Sequence, residues 1–249
     1  MYKLFIIESL ESITGLGLTF SALAYYGLNA YVYRSYPRLV IRKGSAHYKG
    51  VYFSFDDGPN PKLTPQVLNI LDKNNTSACF FLIGKEALRH KPLVKEIRKS
   101  GHIIGNHTKS HYLLPFLPSR MLFREVTDGK FILEDILGEE VTIFRPPRGL
   151  FDRRVLKLSR KLNTKIVLWS LSSYDWTGRK PETLSNHIKN KIRDKDIMLF
   201  HDGGYLFGKV GGNRKNSLEC LIRTFNILRE KNLKPLPFNL ILEKQRAIL

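Results

Sequence analysis

Beyond residue 50 the apolar positions follow two alternating periods, and that alternation sets the expected architecture. Short runs rich in β-branched and aromatic residues predict strands at Val51–Phe55, Ala78–Ile83, His102–Gly105, Val141–Phe144, Lys165–Trp169, Asp196–Phe200 and Lys234–Phe238. Between them, apolar residues spaced three and four apart predict helices. The first opens at Thr64-Pro65, with Thr64 as N-cap and proline in the first turn. The others cover Pro92–Ser100, Pro118–Leu137 ended by Gly138, Asp152–Leu162, Pro181–Ile192 and Ser217–Lys231. Strands alternating with helices over about 200 residues imply one parallel α/β domain, either a (β/α) barrel or a doubly wound sheet. No repeat, linker or low-complexity stretch divides it.

The N-terminal part has a different pattern. Ser12–Tyr33 is a run of 22 residues without a charge, the length of a membrane-spanning helix, although Ser12, Thr14, Ser21 and Asn29 dilute its apolarity. Residues 1–44 are therefore expected to form an apolar helix acting as a single-pass anchor or signal-like segment, and residues 45–249 the folded domain. Two other readings are a cleavable signal peptide and a helix lying on the membrane. Ala22-Leu23-Ala24 resembles a cleavage site, but Glu8 and Glu11 spoil the basic start that a signal peptide needs. A membrane-associated protein with its domain outside the cytoplasm is the expectation. Against it, Arg34, Arg38, Arg42 and Lys43 follow the segment, which favours the cytoplasmic side.

Composition narrows the classes. At 43% hydrophobic and 25% charged residues, the chain lies far from the regime of disorder. Two cysteines exclude a disulfide framework, and no Cys/His cluster marks a zinc knuckle. Cys79, inside an apolar strand, reads as a buried thiol. Forty-one Lys and Arg against 22 Asp and Glu give +19, of which +16 belongs to residues 45–249 once the five basic and two acidic residues of 1–44 are set aside. The partner of such a surface is anionic: a membrane surface, a wall polymer or a nucleic acid.

Candidate chemistry collects just after the strands, where parallel α/β enzymes build their sites. Asp56-Asp57 follows the first strand, and Asn106-His107-Thr108-Lys109-Ser110-His111 the third. Arg145-Pro146-Pro147-Arg148-Gly149, Ser173-Tyr174-Asp175-Trp176 and His201-Asp202-Gly203-Gly204 follow later ones. Each has a plain structural role when taken alone: Asp-Asp-Gly-Pro as a turn, His107 and His111 as a helix-face pair, Arg145 as an ion-pair partner. Their convergence on one rim changes that. Two imidazoles and one of the two aspartates make a three-ligand site with an open position, the pattern of a catalytic divalent metal. The other aspartate is left as general base. His201 then protonates the leaving group, supported by Asp175, and Arg145 pairs with the base aspartate and orients it. The reaction class is metal-assisted hydrolysis of an amide or ester.

These motifs resemble the NodB-homology polysaccharide deacetylases, carbohydrate esterase family 4. Ser54-Phe55-Asp56-Asp57-Gly58-Pro59 is similar to the family's first motif, and His107-Thr108-Lys109-Ser110-His111 to its second. Arg145-Pro146-Pro147-Arg148-Gly149, Asp175-Trp176 and Leu199-Phe200-His201 resemble the third, fourth and fifth. The resemblance covers about residues 48–240 and implies a distorted (β/α)7 barrel that removes N-acetyl groups from N-acetylglucosamine-type sugars in a polysaccharide or peptidoglycan. It implies Asp56 as base, Asp57, His107 and His111 as ligands of a divalent ion, zinc first with cobalt or another as alternatives, Arg145 as partner of Asp56, and Asp175 as partner of the acid His201. It also implies that Trp176 and Leu199 line the acetyl pocket. Arg148 stands where the family has an aromatic residue, which points its subsite toward an anionic neighbour; Ser172 stands where the family has an extra aspartate. The expected partner is an N-acetylated glycan, met by a monomer at an anionic membrane surface or wall polymer. Nucleic acid is not expected, because no RNP, helix-turn-helix or zinc-finger pattern accompanies the charge. Two alternatives are a deacylase of a lipid-linked amino sugar and a non-catalytic carbohydrate-binding protein on the same barrel.

Overall fold

Alternate side chains of the strands face two different apolar layers, and this two-sided burial makes the sheet the centre of the domain. The computed structural model describes residue 36 and residues 39–44, 48–206, 209–210 and 214–243. The strands are β1 (Val40–Ile41), β2 (Tyr52–Asp56), β3 (Cys79–Leu82), β4 (Ile103–Asn106), β5 (Ile143–Phe144), β6 (Lys165–Val167), β7 (Leu171–Ser172) and β8 (Ile197–His201). They form one sheet in the order β1-β6-β5-β4-β3-β2-β8-β7, parallel from β6 through to β7. A small antiparallel pair, β9 (Tyr205–Leu206) and β10 (Lys209–Val210), stands apart. The helices are α1 (Thr64–Lys73), α2 (Gly84–Arg89), α3 (Lys91–Lys99), α4 (Ser119–Leu137), α5 (Arg153–Lys161), α6 (Pro181–Lys191), α7 (Arg214–Glu230) and α8 (Leu240–Glu243).

Phe53, Phe55, Phe80, Leu82, Met198 and Phe200 point outward to the helices. There Phe53 stacks on Phe225 at 4.7 Å and Phe55 on Phe80 at 5.0 Å between ring centroids. Tyr52, Cys79, Phe81, Ile143, Val167 and Ile197 point inward with Phe238. The period of two therefore sends Ser54 and Asp56 of β2 to the interior, alongside Tyr52. The barrel is drawn together at its lower end. The Ile41 carbonyl accepts from the Leu168 amide at 2.8 Å, while Lys43 bridges Asp196 and the Gly44 amide donates to the Lys195 carbonyl at 2.8 Å. This segment links the β6 side to the foot of β8, giving the curled, distorted parallel α/β barrel that the motif resemblance implies.

Several expectations change. The last strand, Lys234–Phe238, reduces to one bridge between Pro235 and Val51, because Pro235 and Pro237 have no N–H to continue a ladder. Leu171–Ser172 forms an edge strand instead, too short to carry a periodic signal. Thr64 does not cap α1: its hydroxyl donates to Asp202 at 2.5 Å, and Asn60 Oδ1 accepts from the Lys62 and Leu63 amides in its place. Helix α2 opens at Gly84, directly after the expected strand Ala78–Ile83, which ends at Leu82. His107 and His111 lie on a loop, not on one helix face, since Thr108 and His111 both have positive φ. The apolar helix expected within residues 1–44 falls almost wholly outside the described residues; among the described ones no helix is long and apolar enough to cross a membrane.

Helix α4 ends as expected, with Gly138 left-handed at φ 68° and its amide bonded to the Glu134 carbonyl at 2.8 Å. A Cβ there would meet nothing within 4 Å. Gly138→Ala should thus cost about 1 kcal/mol through backbone conformation alone, and Gly138→Asn less. The denaturation midpoint at unchanged m-value checks this.

Candidate active site

Strand register decides which side chains meet at the rim. Asp56 pairs with His201 on β8 and with Phe81 on β3, so residues far apart in sequence become neighbouring rungs. Beneath them lies Arg145, fully buried just after β5. Its Nε donates to the Val167 carbonyl at 2.8 Å and Nη2 to the Leu168 carbonyl at 2.9 Å. Nη1 donates to Asp56 Oδ1 at 2.6 Å and to the Ser54 hydroxyl at 3.0 Å. The guanidinium also lies 3.9 Å from the centroid of the Phe81 ring. A buried cation supplied with this many acceptors is held in one place, and Asp56 is held with it.

The loop after β4 carries the two imidazoles. His107 Nδ1 is 2.7 Å from the Arg145 carbonyl, which can only accept, so Nδ1 carries the proton and Nε2 presents its lone pair. That Nε2 is 3.4 Å from Asp57 Oδ1, and His111 Nε2 is 3.1 Å from the same oxygen. Every amide from Thr108 to His111 has a specific acceptor. Asn106 Oδ1 takes Thr108, the Glu125 carbonyl takes Lys109, Glu125 Oε2 takes Ser110 and the Thr108 hydroxyl takes His111, all at 2.8–2.9 Å. Gly129 of α4 lets the loop come this close: a Cβ there would lie 2.5 Å from Asn106 Oδ1 and 2.6 Å from the Thr108 carbonyl carbon.

On the opposite side, His201 Nδ1 donates to Asp175 Oδ1 at 2.8 Å, and the His201 amide donates to Asp175 Oδ2 at 2.9 Å. Asp175 is buried and His201 turns its Nε2 toward the rim. Leu199, on the inward face of β8 beside Ser54, is buried, whereas Trp176 is 41% exposed in the turn after Tyr174. Arg148 stands apart from this cluster. It sits exposed at φ 56° in the turn after Arg145 and makes no hydrogen bond or ion pair among the described residues. Ser172 accepts the Tyr174 amide at 3.2 Å.

Sequence reasoning gave no site role to Ser54, Asn106 or Asp202, and only a helix-capping role to Thr64. The first was within reach, because the period of two in Tyr-Phe-Ser-Phe-Asp puts Ser54 on the face of Asp56; its hydroxyl donates to the Met198 carbonyl at 2.7 Å and accepts from Arg145. Asp202 is reached only through the fold. Buried under the Asp57–Gly58 turn, it accepts the Thr64 hydroxyl, and a Cβ on Gly58 would collide with its carboxylate. Burial first, then the charges of Asp57 and Asp56, raise it to about 7 against the Thr64 hydrogen bond.

The sequence profile described as polysaccharide deacetylase matches residues 43–167, half of the chain. The chain belongs to this family. Among polysaccharide deacetylase relatives, it is 38% identical over 158 residues to a peptidoglycan-N-acetylglucosamine deacetylase of Bacillus cereus, covering 63% of this chain and 74% of the relative. It is 32% identical to a chitooligosaccharide deacetylase of Azorhizobium caulinodans, covering 75% and 92%. Its fold matches the crystal structure of the Bc1960 peptidoglycan N-acetylglucosamine deacetylase with a TM-score of 0.74 at 28% identity, covering 82% and 92%.

The deacetylase rim fits a divalent cation. Asp57, His107 and His111 bring donor atoms within 4.8 Å of one another, and Asp57 Oδ1 is buried with no hydrogen-bond partner. Burial alone would raise the Asp57 carboxyl, but the neighbouring imidazoles of His107, His111 and His201 hold it below the usual carboxylate range. His111 is pushed down to about 4 by burial first, with His107 and His201 adding, so it is a neutral lone-pair donor at pH 7. Burial lowers His107, yet the carboxylates of Asp56 and Asp57 lift it above its ordinary value.

His201 goes the other way. Burial lowers it, but Asp175 more than compensates and raises it to about 9. Its folded value exceeds the unfolded one, so the pair stabilises the fold fully below about pH 6.5 and the contribution disappears as pH rises through about 9. In the metal-stripped protein, Asp175→Asn should bring the His201 titration well below its wild-type position. NMR of the imidazole resonances reads this directly, and an unmoved midpoint would remove Asp175 as the cause.

Proposed function

We propose that this protein is a divalent-metal-dependent hydrolase that removes N-acetyl groups from N-acetylglucosamine-type sugars in peptidoglycan or a related polysaccharide. The observation that carries the reading is the orphaned, buried Oδ1 of Asp57 facing two imidazole Nε2 atoms, with Asp56–Arg145 and His201–Asp175 beside it. The names of the relatives, deacetylases of peptidoglycan and chitooligosaccharide, support the same substrate class.

Asp57, His107 and His111 would hold the ion. Two neutral nitrogens and one carboxylate suit zinc, a borderline-soft ion, better than magnesium or calcium. When bound, the ion supplies Lewis acidity that polarises the acetamide carbonyl and acidifies water. Asp56 Oδ1 is occupied by Arg145, so Oδ2 is the oxygen left to take the proton of the attacking water. Arg145 holds that carboxylate in one rotamer through its four hydrogen bonds, which removes the need to reorganise during the reaction. His201, protonated at neutral pH by virtue of Asp175, gives its Nε2 proton to the departing sugar nitrogen. The C–N bond breaks as that proton arrives, leaving acetate and a free amine. Leu199 and Trp176 supply the apolar wall for the acetyl methyl group.

The purified chain should release acetate from peptidoglycan and from chitooligosaccharides, lose that activity with a chelator and recover it with zinc. Asp56→Asn should reduce turnover by about 10²-fold or more while metal content by elemental analysis stays unchanged. Wild-type acetate release by Asp56→Asn would overturn the assignment.

A further inference from the structure

The charge of the domain is unevenly placed, and part of it coincides with exposed aromatic residues beside the active-site loop. Helix α5 has five Lys or Arg among nine residues and no acid. Arg153, Lys157 and Lys161, spaced by four, form its exposed stripe and, among the described residues, take part in no ion pair. Its N-terminus is tied to the segment between His111 and α4. Arg154 donates to the carbonyls of Leu117 at 2.8 Å and Pro115 at 3.1 Å, and Asp152, the N-cap acid, is committed to Arg154 at 2.7 Å. Phe116, inside that tied segment, is 78% exposed, the most exposed large apolar side chain among those described. On the first turns of α4, Arg120, Phe123 and Arg124 share the exposed side, with Phe123 at 43%.

Neither component is explained by the fold. Apolar rings this exposed cost free energy in water, and clustered cations repel one another. A soluble polyanion would neutralise the cations and leave the rings wet. The boundary between headgroups and acyl chains of an anionic bilayer accepts both, since cations sit among phosphates while rings enter the apolar edge. We infer that the face formed by Phe116, the start of α4 and the basic stripe of α5 docks on an anionic phospholipid surface, setting the catalytic rim beside the membrane. The uncharged run Ser12–Tyr33 in the same chain agrees with a membrane location without being needed for the face itself.

Hydrogen exchange of the full chain tests this with three probes: phosphatidylcholine vesicles containing phosphatidylglycerol, phosphatidylcholine vesicles alone, and soluble poly(glycerol phosphate). Amides in 114–124 and 153–161 should gain protection with the anionic vesicles only, and the gain should fall as salt rises. The neutral vesicles report any tethering by the N-terminal run. Arg153→Glu combined with Lys157→Glu should weaken the protective binding by roughly tenfold or more, and Phe116→Ser should weaken it separately. Both variants should keep wild-type acetate release from soluble chitooligosaccharide, which separates a lost surface from a damaged fold. Equal protection by neutral vesicles or by the soluble polymer, or unchanged protection in the variants, would overturn the inference.

Discussion

Arg145 is the residue on which the candidate site depends. A guanidinium with no solvent contact carries a desolvation cost of several kcal/mol, and it persists here only because acceptors from β2 and from the end of β6 surround it. Through its side chain it joins β2, at Ser54 and Asp56, to the end of β6, at Val167 and Leu168. Through its backbone it reaches β4: its amide donates to the Asn106 carbonyl at 2.9 Å, and its own carbonyl takes the Nδ1 proton of His107. One residue thus orients the candidate base and one candidate metal ligand together, and loss of the cation would leave buried acceptors facing nothing.

The rim around this anchor holds unfavourable backbone. Asp57, Thr108, His111, Arg148 and Tyr174 all have positive φ, and each follows a strand that feeds the site. The other non-glycine residues of this kind among those described are mainly asparagines in ordinary turns, where the cost is small. For β-branched Thr108 it is not small. The loop stays in place because each of its amides has an acceptor and because Gly129 lets α4 touch it. The strain aims His107 and His111 at a single carboxylate oxygen, something one turn of regular helix would not do from these positions.

Electrostatics then separates the roles of groups that are chemically alike. Three histidines share the rim, yet burial leaves His111 neutral while Asp175 keeps His201 protonated. Two adjacent aspartates share it as well. One is engaged by an arginine and the other faces only imidazoles. Environment, not residue type, makes one set the candidate place for a cation and the other the candidate acid and base.

Much of this was legible in the chain itself. The alternation of strand and helix periods, the stop at Gly138 and the polar clusters after each strand are local features, set by side chains within a few residues of one another, and they sufficed for one parallel α/β domain, barrel or doubly wound sheet, with its chemistry on one rim; the motif resemblance then singled out the barrel. What they could not specify was partnership. Asp56 meets Arg145 across 89 residues, His201 meets Asp175 across 26, and Thr64 gives up its expected capping role for Asp202 across 138. The helix-face reading of His107 and His111 failed for the same reason, since the turns at Thr108 and His111 are imposed by Asn106, Glu125 and Gly129 from outside the loop. Sequence determined which groups are present and at which end of the sheet they emerge. Only strand register and barrel closure decided which of them touch, because a hydrogen bond between distant residues exists only after the chain between them has been packed.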